Sequence, residues 1–146
     1  MEAKDATELV YSVEAATQED VAWIEARMKE FDRQFLPEEN IRNINYLVRN
    51  DRGEPIGGIV AQTRYRTVCI NTIWIRSDYR KRGIGRHLIE LVEKRAKELG
   101  CIVSSLGTFE KFNTKEMYEH LGYKVVSTSI DSPEGHTGYW FNKPIA

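Results

Sequence analysis

Two glycines within a short basic segment are the residues of this sequence best suited to binding an anion. Gly83 and Gly85 lie in the segment Arg80–Arg86, which also carries four cationic side chains. Glycine has no Cβ, so a phosphate group could approach the main-chain amides of this segment closely. If a helix begins there, its first N–H groups and the positive end of its dipole would face the same anion. The spacing therefore predicts a phosphate-binding loop, with a glycine turn bearing a solvated basic face as the structural alternative.

The residues on either side of this loop predict the elements that must position it. Val68–Ile75 alternates and is rich in β-branched and aromatic residues, which is typical of a strand. Apolar residues then recur at helical spacing from Ile84 to Leu99, and Gly100 would end this helix at its C′ position. Two common nucleotide motifs do not fit, because the third glycine of a dinucleotide motif would fall at Leu88 and no Gly-Lys-Ser/Thr follows the loop.

Two signatures in this chain resemble those of a known family. Arg80-x-x-Gly83-x-Gly85 at a strand-to-helix junction resembles the acetyl-CoA pyrophosphate loop of the GNAT N-acetyltransferase superfamily. The lead-in is also similar, with Ser77 where a proline is common. Residues 113–123 resemble the second signature, an Asn, then a Tyr, then Leu-Gly-aromatic. Both occur in the expected order and the resemblance extends from about residue 11 to the end, so the chain is identified as a small bacterial-type member.

The resemblance implies an acetyltransferase that uses acetyl-CoA as co-substrate and a primary amine of a small molecule as acceptor. Its cofactor-binding residues would be Ile73, Trp74, Ile75, Arg80, Lys81, Arg82, Gly83, Ile84, Gly85, Arg86, Asn113 and Tyr118. In this family the backbone of the strand before the loop holds the pantetheine arm and the oxyanion, which implies Ile73 to Ile75 here. Tyr118 is the implied catalytic residue. A phenol, with a pKa near 10, is protonated at neutral pH and could protonate the departing thiolate, whose thiol has a pKa of about 8.5.

Several features of the site stay open at this point. The alternatives are that Tyr118 is a packed aromatic residue of the helix and that Asn113 is a helix N-cap. The sequence leaves five candidates for a general base, which are Asp32, Glu38, Glu39, Glu110 and His136. By position in the family, the acceptor could contact Trp23, Phe31, Asp32, Phe35, Leu36, His136, Tyr139 and Trp140. Alternatives to the small-molecule reaction are a non-catalytic acyl-CoA sensor, acetylation of a protein or peptide amine, and another acyl group or an O- or S-acceptor.

Composition narrows the classes of protein. The chain has 146 residues and a formal net charge of −1, which predicts one domain and argues against a dedicated nucleic-acid partner. There is no run of about 18 apolar residues and no apolar signal-peptide core, so we expect no membrane partner and a cytoplasmic location. Cys69 and Cys101 are interpreted as reduced buried thiols, and no metal is expected. A homodimer is left open.

The fold expected from these patterns is a mixed α/β domain spanning residues 1–146, with residues 1–8 as a disordered tail. Its sheet would have six or seven mostly antiparallel strands, with helices on both faces. The expected strands cover 9–15, 45–49, 55–64, 66–75, 101–107, 123–130 and 137–142. The expected helices run from the Thr17 cap to about 31–36, from 84 to 99 and from 112 to 121, with a short extra helix at 37–40. The strand-helix-strand unit around the loop should be a parallel crossover.

Overall fold

The computed structural model describes residues 8–146, which divide into two compact units between Glu38 and Glu39. The first unit contains one helix, α1 (Gln18–Asp32). Thr17 begins it with a capping box, in which the Thr17 hydroxyl accepts from the Asp20 N–H at 3.1 Å and the Asp20 carboxylate accepts from the Thr17 N–H at 2.9 Å. These hydrogen bonds lower the pKa of Asp20.

Two elements predicted for the N-terminal region are absent from the described part of it. Residues 9–15 form no strand, because the described residues of this unit contain no strand with which they could pair. The predicted tail lies mostly outside the described residues. No helix forms at 37–40, because Asn40 is already held at the edge of a sheet: its carbonyl accepts from the Thr63 hydroxyl at 3.3 Å, and that hydroxyl accepts from the Arg42 N–H at 3.0 Å.

The second unit, Glu39–Ala146, contains a six-stranded sheet. Its strands are β1 (Arg42–Arg49), β2 (Pro55–Arg64), β3 (Thr67–Ile75), β4 (Val103–Phe109), β5 (Lys124–Ser129) and β6 (Gly138–Pro144). They lie in the order β1-β2-β3-β4-β6-β5, and only β3 and β4 pair in parallel. The predictions of a mixed α/β fold, a mostly antiparallel sheet and a parallel crossover are confirmed.

Two helices accompany the sheet, α2 (Ile84–Glu98) and α3 (Lys115–His120). α2 matches its prediction and ends in a Schellman motif, in which Gly100 has φ +94° and the Cys101 N–H donates to the Ala96 carbonyl at 2.9 Å. That hydrogen bond delays the next strand, so β4 begins at Val103 rather than at residue 101.

The helix predicted at 112–121 is shorter than expected. A 3-10 turn occupies Glu110–Phe112, and Asn113 follows it in the left-handed region with φ +55°. An α-helix cannot pass through such a residue, so α3 begins only at Lys115. Asn113 is therefore not the N-cap, which is Thr114, and it does not share a helix with Tyr118.

The core lies between α2 and one face of the sheet. Leu88, Ile89, Val92 and Ala96 of α2 are each at most 2% exposed and pack against apolar residues of β1 to β4 and β6. α2 also carries Glu93, whose carboxylate accepts from the Tyr123 hydroxyl at 2.7 Å and from the Lys143 ammonium of β6 at 3.0 Å. These contacts connect α2 to β6 and to the residue that precedes β5.

Candidate active site

The parallel ladder between β3 and β4 ends before either strand does. Pairing runs from Thr67 opposite Val103 to Ile70 opposite Leu106, and then stops. β3 continues to Ile75 and β4 to Phe109 with no further pairing between them. At the same point β3 contains a bulge at residue 71, since Val60 pairs with Thr72 and Ala61 with Ile70. From there on, the two strands leave an opening in the sheet.

The basic loop joins the open end of β3 to α2. A 3-10 turn at Ser77–Tyr79 follows the strand, and Lys81 and Gly83 then have φ values of +60° and +86°. The Arg80 Nε donates to the Ile75 carbonyl at 2.8 Å, which fastens the loop to the end of β3. This contact occupies one of the main-chain groups in the predicted pantetheine-binding segment.

The first turn of α2 presents main-chain donors. The helix's first hydrogen bond runs from the His87 N–H to the Gly83 carbonyl at 3.0 Å. Within residues 8–146, the amides of Ile84, Gly85 and Arg86 have no hydrogen-bond acceptor. The predicted strand, loop and helix start are thus contiguous, and this is the arrangement in which an anion can bind main-chain N–H groups.

The two glycine positions of the loop differ in whether another residue could replace the glycine. A Cβ at Gly83 would have no atom within 4 Å, but the positive φ disfavours any other residue there. Gly85 has ordinary helical geometry, and a Cβ there would contact the Ile73 Cδ1 at 3.7 Å, toward β3. Gly83 is therefore needed for backbone conformation, whereas the structure leaves room for alanine at position 85.

The cationic side chains beside the loop are organised around Tyr79. The guanidinium groups of Arg76 and Arg82 lie 5.0 and 5.5 Å from its ring centroid. Arg76 also donates to both carboxylate oxygens of Asp78, at 2.7 and 3.0 Å, and this interaction lowers the pKa of Asp78. The Asn50 amide donates to the Tyr79 hydroxyl at 3.3 Å. Tyr79, which the sequence interpretation did not single out, thus positions Arg82 of the predicted cofactor loop.

Tyr118 is buried in α3, and its side chain is 5% exposed. Its ring contacts those of Tyr123 and Phe141, with centroids 6.2 and 5.7 Å away. Its hydroxyl has no hydrogen-bond partner within residues 8–146, although buried hydroxyls usually have one. Burial raises the pKa of Tyr118, so the phenol keeps its proton at neutral pH. Asn113 is exposed, and the Thr114 hydroxyl bonds that of Thr108 at 2.7 Å, which holds the start of α3 against β4.

A cleft of about 520 Å³ lies at the end of β4, where the two strands part. It is lined by Ile70, Asn71, Gly107, Thr108, Phe109, Phe112, Ser127, Ser129, Ser132, Gly138, Tyr139 and Trp140. Gly107 makes room for the indole of Trp140, because a Cβ at position 107 would lie 2.6 Å from two ring carbons. The volume of the cleft lies within the range typical of small-molecule binding sites.

The structure separates the candidates for base and acceptor contacts. Tyr139 and Trp140 line the cleft, and the His136 ring lies 6.4 Å from that of Phe109. The remaining predicted acceptor contacts, Trp23, Phe31, Asp32, Phe35 and Leu36, belong to the first unit.

Among the base candidates, the Glu39 carboxylate forms an ion pair with Arg64 at 2.6 Å. Glu110 directly follows β4, where its N–H donates to the Thr137 carbonyl at 2.8 Å. Asp32 and Glu38 belong to the first unit. Glu110 and His136 are therefore the two candidates beside the cleft.

Most residues of the cleft were not predicted. Asn71, Phe109, Phe112, Ser127 and Ser129 have no motif, and only the fold brings them together. One signal was present: a glycine inside a strand pattern, Gly107, often marks a close approach of another group.

The described part of the chain shows neither a metal-binding cluster nor a membrane-spanning helix. There, no group of three or more His, Cys, Asp or Glu side chains is arranged to hold a metal ion. No helix in residues 8–146 is both long and apolar enough to cross a bilayer. Cys101 is buried and Cys69 half-buried, and both are free thiols. Burial raises the pKa of Cys101.

Comparison with known proteins decides the family. The model described as acetyltransferase (GNAT) family matches residues 9–123. This chain belongs to the GNAT acetyltransferase family. The predicted N-acetyltransferase class is therefore confirmed.

Individual relatives agree with this assignment. The blasticidin-S acetyltransferase of Streptomyces morookaense is 31% identical over 96 residues, which cover 65% of this chain and 70% of that protein. An acetyltransferase structure from Bacillus cereus ATCC 14579 superposes with a TM-score of 0.82 at 25% identity, covering 92% of this chain and 97% of that one. An aminoglycoside 6′-N-acetyltransferase complexed with coenzyme A has a TM-score of 0.63 at 23% identity, covering 86% of each chain.

Proposed function

We propose that this protein transfers the acetyl group of acetyl-CoA to a primary amine of a small molecule. The observation that carries the proposal is the opening between β3 and β4: the loop at Arg80–Arg86 follows the open end of β3, and residues 107–109 at the open end of β4 line the 520 Å³ cleft. The helix start after the loop offers unpartnered main-chain amides for a diphosphate, and the cleft offers a cavity for an acceptor. The relatives complexed with coenzyme A or named for small antibiotics support the same reaction.

The residues that would hold acetyl-CoA fit its chemistry. The amides of Ile84 to Arg86 would donate hydrogen bonds to the diphosphate, with Lys81 and Arg82 adding positive charge. The unpaired edge of β3 from Ile73 to Ile75, apart from the Ile75 carbonyl to which Arg80 donates, would hydrogen-bond the pantetheine arm and stabilise negative charge on the thioester oxygen. Asn113 would contribute an amide at the end of the 3-10 turn. A single well-placed donor to an oxyanion contributes about 3 kcal/mol.

Transfer requires a neutral amine and a protonated leaving group. Acetyl-CoA supplies a thioester whose C–S bond breaks as the C–N bond forms. Tyr118 would donate its proton to the departing sulfur and regain one from solvent. Its buried hydroxyl, with no partner within residues 8–146, is free to make this contact. The amine's proton would leave through water, with Glu110 or His136 as the nearest candidate acceptors.

Two measurements test this function. Titration calorimetry should show binding of acetyl-CoA and CoA, and a thiol-release assay with a panel of primary amines should show turnover. If a folded sample binds neither form of the cofactor, the proposal is wrong. If it binds both but no amine releases thiol, the protein is an acyl-CoA sensor instead. We also propose that the protein is located in the cytoplasm.

A further inference from the structure

The lining of the cleft at the end of β4 limits which acceptors the cleft can bind. None of its twelve lining side chains carries a charge. Four of these residues are aromatic, four are serines or threonines, two are glycines, and the others are Ile70 and Asn71. From this lining we infer that the acceptor is a monoamine carrying a flat aromatic group, rather than a polyamine or an aminoglycoside. The inference rests on the proposed function and deepens it.

Among the charged groups near the lining, which include Glu110 directly after Phe109, Lys115 also disfavours a polycation. The Lys115 ammonium lies 5.2 Å from the ring centroid of Tyr139, and Lys115 is itself only loosely paired with Glu119, at 3.6 Å. The Asp131 carboxylate, next to Ser132, accepts from the Gly135 N–H and so serves the turn before β6. A ligand with several ammonium groups would lose its hydration on entering the cleft, and the lining has no carboxylate to compensate for that loss.

The aromatic side chains are arranged to receive a planar group. Phe109 and Phe112 meet edge to face, with centroids 5.4 Å apart and an interplanar angle of 82°. Trp140 and Phe112 are 45% and 65% exposed, so much of each ring remains available to a ligand. Aromatic rings favour offset or edge-to-face contact with another ring, and their faces attract a single ammonium group.

The serines supply the polar part of the recognition. Ser127 pairs with Trp140 and Ser129 with Gly138 in the β5–β6 ladder, so both serines lie on the strand next to the one that carries Tyr139 and Trp140. The Ser129 hydroxyl fills the space that a Cβ at Gly138 would need, at 2.8 Å. These hydroxyls can both donate and accept, and would suit hydroxyl or carbonyl substituents on the aromatic ring.

A substrate panel tests the inference through paired amines. 2-Phenylethylamine and 2-cyclohexylethylamine share charge and length but differ in ring planarity, while spermidine and kanamycin represent polycations. We expect kcat/KM for 2-phenylethylamine to exceed that for each of the other three by about tenfold or more. Equal or better turnover of spermidine or kanamycin would overturn the inference and leave the acetyltransferase proposal standing.

Variants show whether the cleft itself sets this preference. Trp140→Ala should lower kcat/KM for 2-phenylethylamine about tenfold or more without changing the KM for acetyl-CoA. Val126→Ala is the matched control, since Val126 lies in the same strand as Ser127, is 55% exposed and does not line the cleft. Ser127→Asp should move the preference toward spermidine by about tenfold. Equal effects of Trp140→Ala and Val126→Ala, or no shift in Ser127→Asp, would contradict the assignment.

A direct binding experiment separates this inference from the reaction. The full chain is titrated with 2-phenylethylamine by calorimetry in the presence of CoA, for the wild type and for Trp140→Ala. Saturable binding that Trp140→Ala weakens, without thiol release from any amine, would retain the ligand class and refute the transferase. The absence of saturable binding and of turnover with 2-phenylethylamine would refute the ligand class.

Discussion

Gly83 and Gly53 form a matched pair that tests the phosphate-binding loop. Their φ values are +86° and +79°, and a Cβ at either would have no atom within 4 Å. Alanine at either position therefore introduces backbone strain without a steric clash. The left-handed conformation costs an L-residue about 1–2 kcal/mol, and for a chain of this length each kcal/mol lowers Tm by about 2–4 °C. We expect Gly83→Ala and Gly53→Ala to lower Tm by a similar amount, about 2–8 °C.

Their effects on cofactor binding should differ. Gly83 immediately precedes the unpartnered amides of α2, whereas Gly53 lies in the turn between β1 and β2. Losing one hydrogen bond between an amide and a charged phosphate costs about 1.5–3 kcal/mol, and 1.4 kcal/mol is tenfold in affinity. Calorimetry should therefore show CoA binding weakened about tenfold or more in Gly83→Ala and unchanged in Gly53→Ala. If both variants bind CoA like the wild type, the diphosphate is not held at this helix start.

Three further outcomes are expected. Tyr118→Phe should lower thiol release by about 100-fold while leaving CoA affinity and Tm near wild type, because no described group loses a hydrogen bond; unchanged turnover would remove Tyr118 as proton donor. Gly85→Ala should raise the free energy of unfolding by about 0.5–1 kcal/mol with CoA affinity retained, since glycine disfavours the helix and the new Cβ makes only an ordinary contact; a lower Tm would contradict the geometry. Burial raises the pKa of Cys101, Tyr118 and Tyr123 above their ordinary values of 9.0, 10.0 and 10.0. The folded state thus holds these protons more tightly, so the stabilisation is complete below about pH 9 and urea melts should show it declining above that, less steeply in Tyr123→Phe.

Local sequence patterns predicted the elements around the loop well. The strand before it and the helix after it were both recognised, because each has a clear hydrophobic period and Gly100 supplies a C′ residue of known geometry. The Thr17 capping box was likewise a local signal. These features depend on residues close together in sequence, and that is the information that a single chain carries most directly.

The incorrect predictions arose where a longer-range condition decided the structure. Residues 9–15 alternate like a strand, but alternation does not supply a hydrogen-bonding partner. The left-handed conformation of Asn113 ended a helical pattern that seemed continuous from residue 112. The same limit applies to the cleft, where Asn71 from the bulge meets residues from β4, β5 and β6. No spacing rule in one sequence links those positions.

The short parallel ladder has a consequence for how this sheet comes apart. Four residue pairs, from Thr67 opposite Val103 to Ile70 opposite Leu106, join two antiparallel halves of three strands each. Native-state hydrogen exchange should therefore detect a sub-global opening along this seam at a lower free energy than complete unfolding. The apolar face of α2 packs against strands on both sides of the seam, and the Glu93 carboxylate adds polar contacts to Tyr123 and Lys143 on one side. A ligand bound between the two halves should slow exchange at the facing edges of β3 and β4, and should add no protection to the outer hairpins.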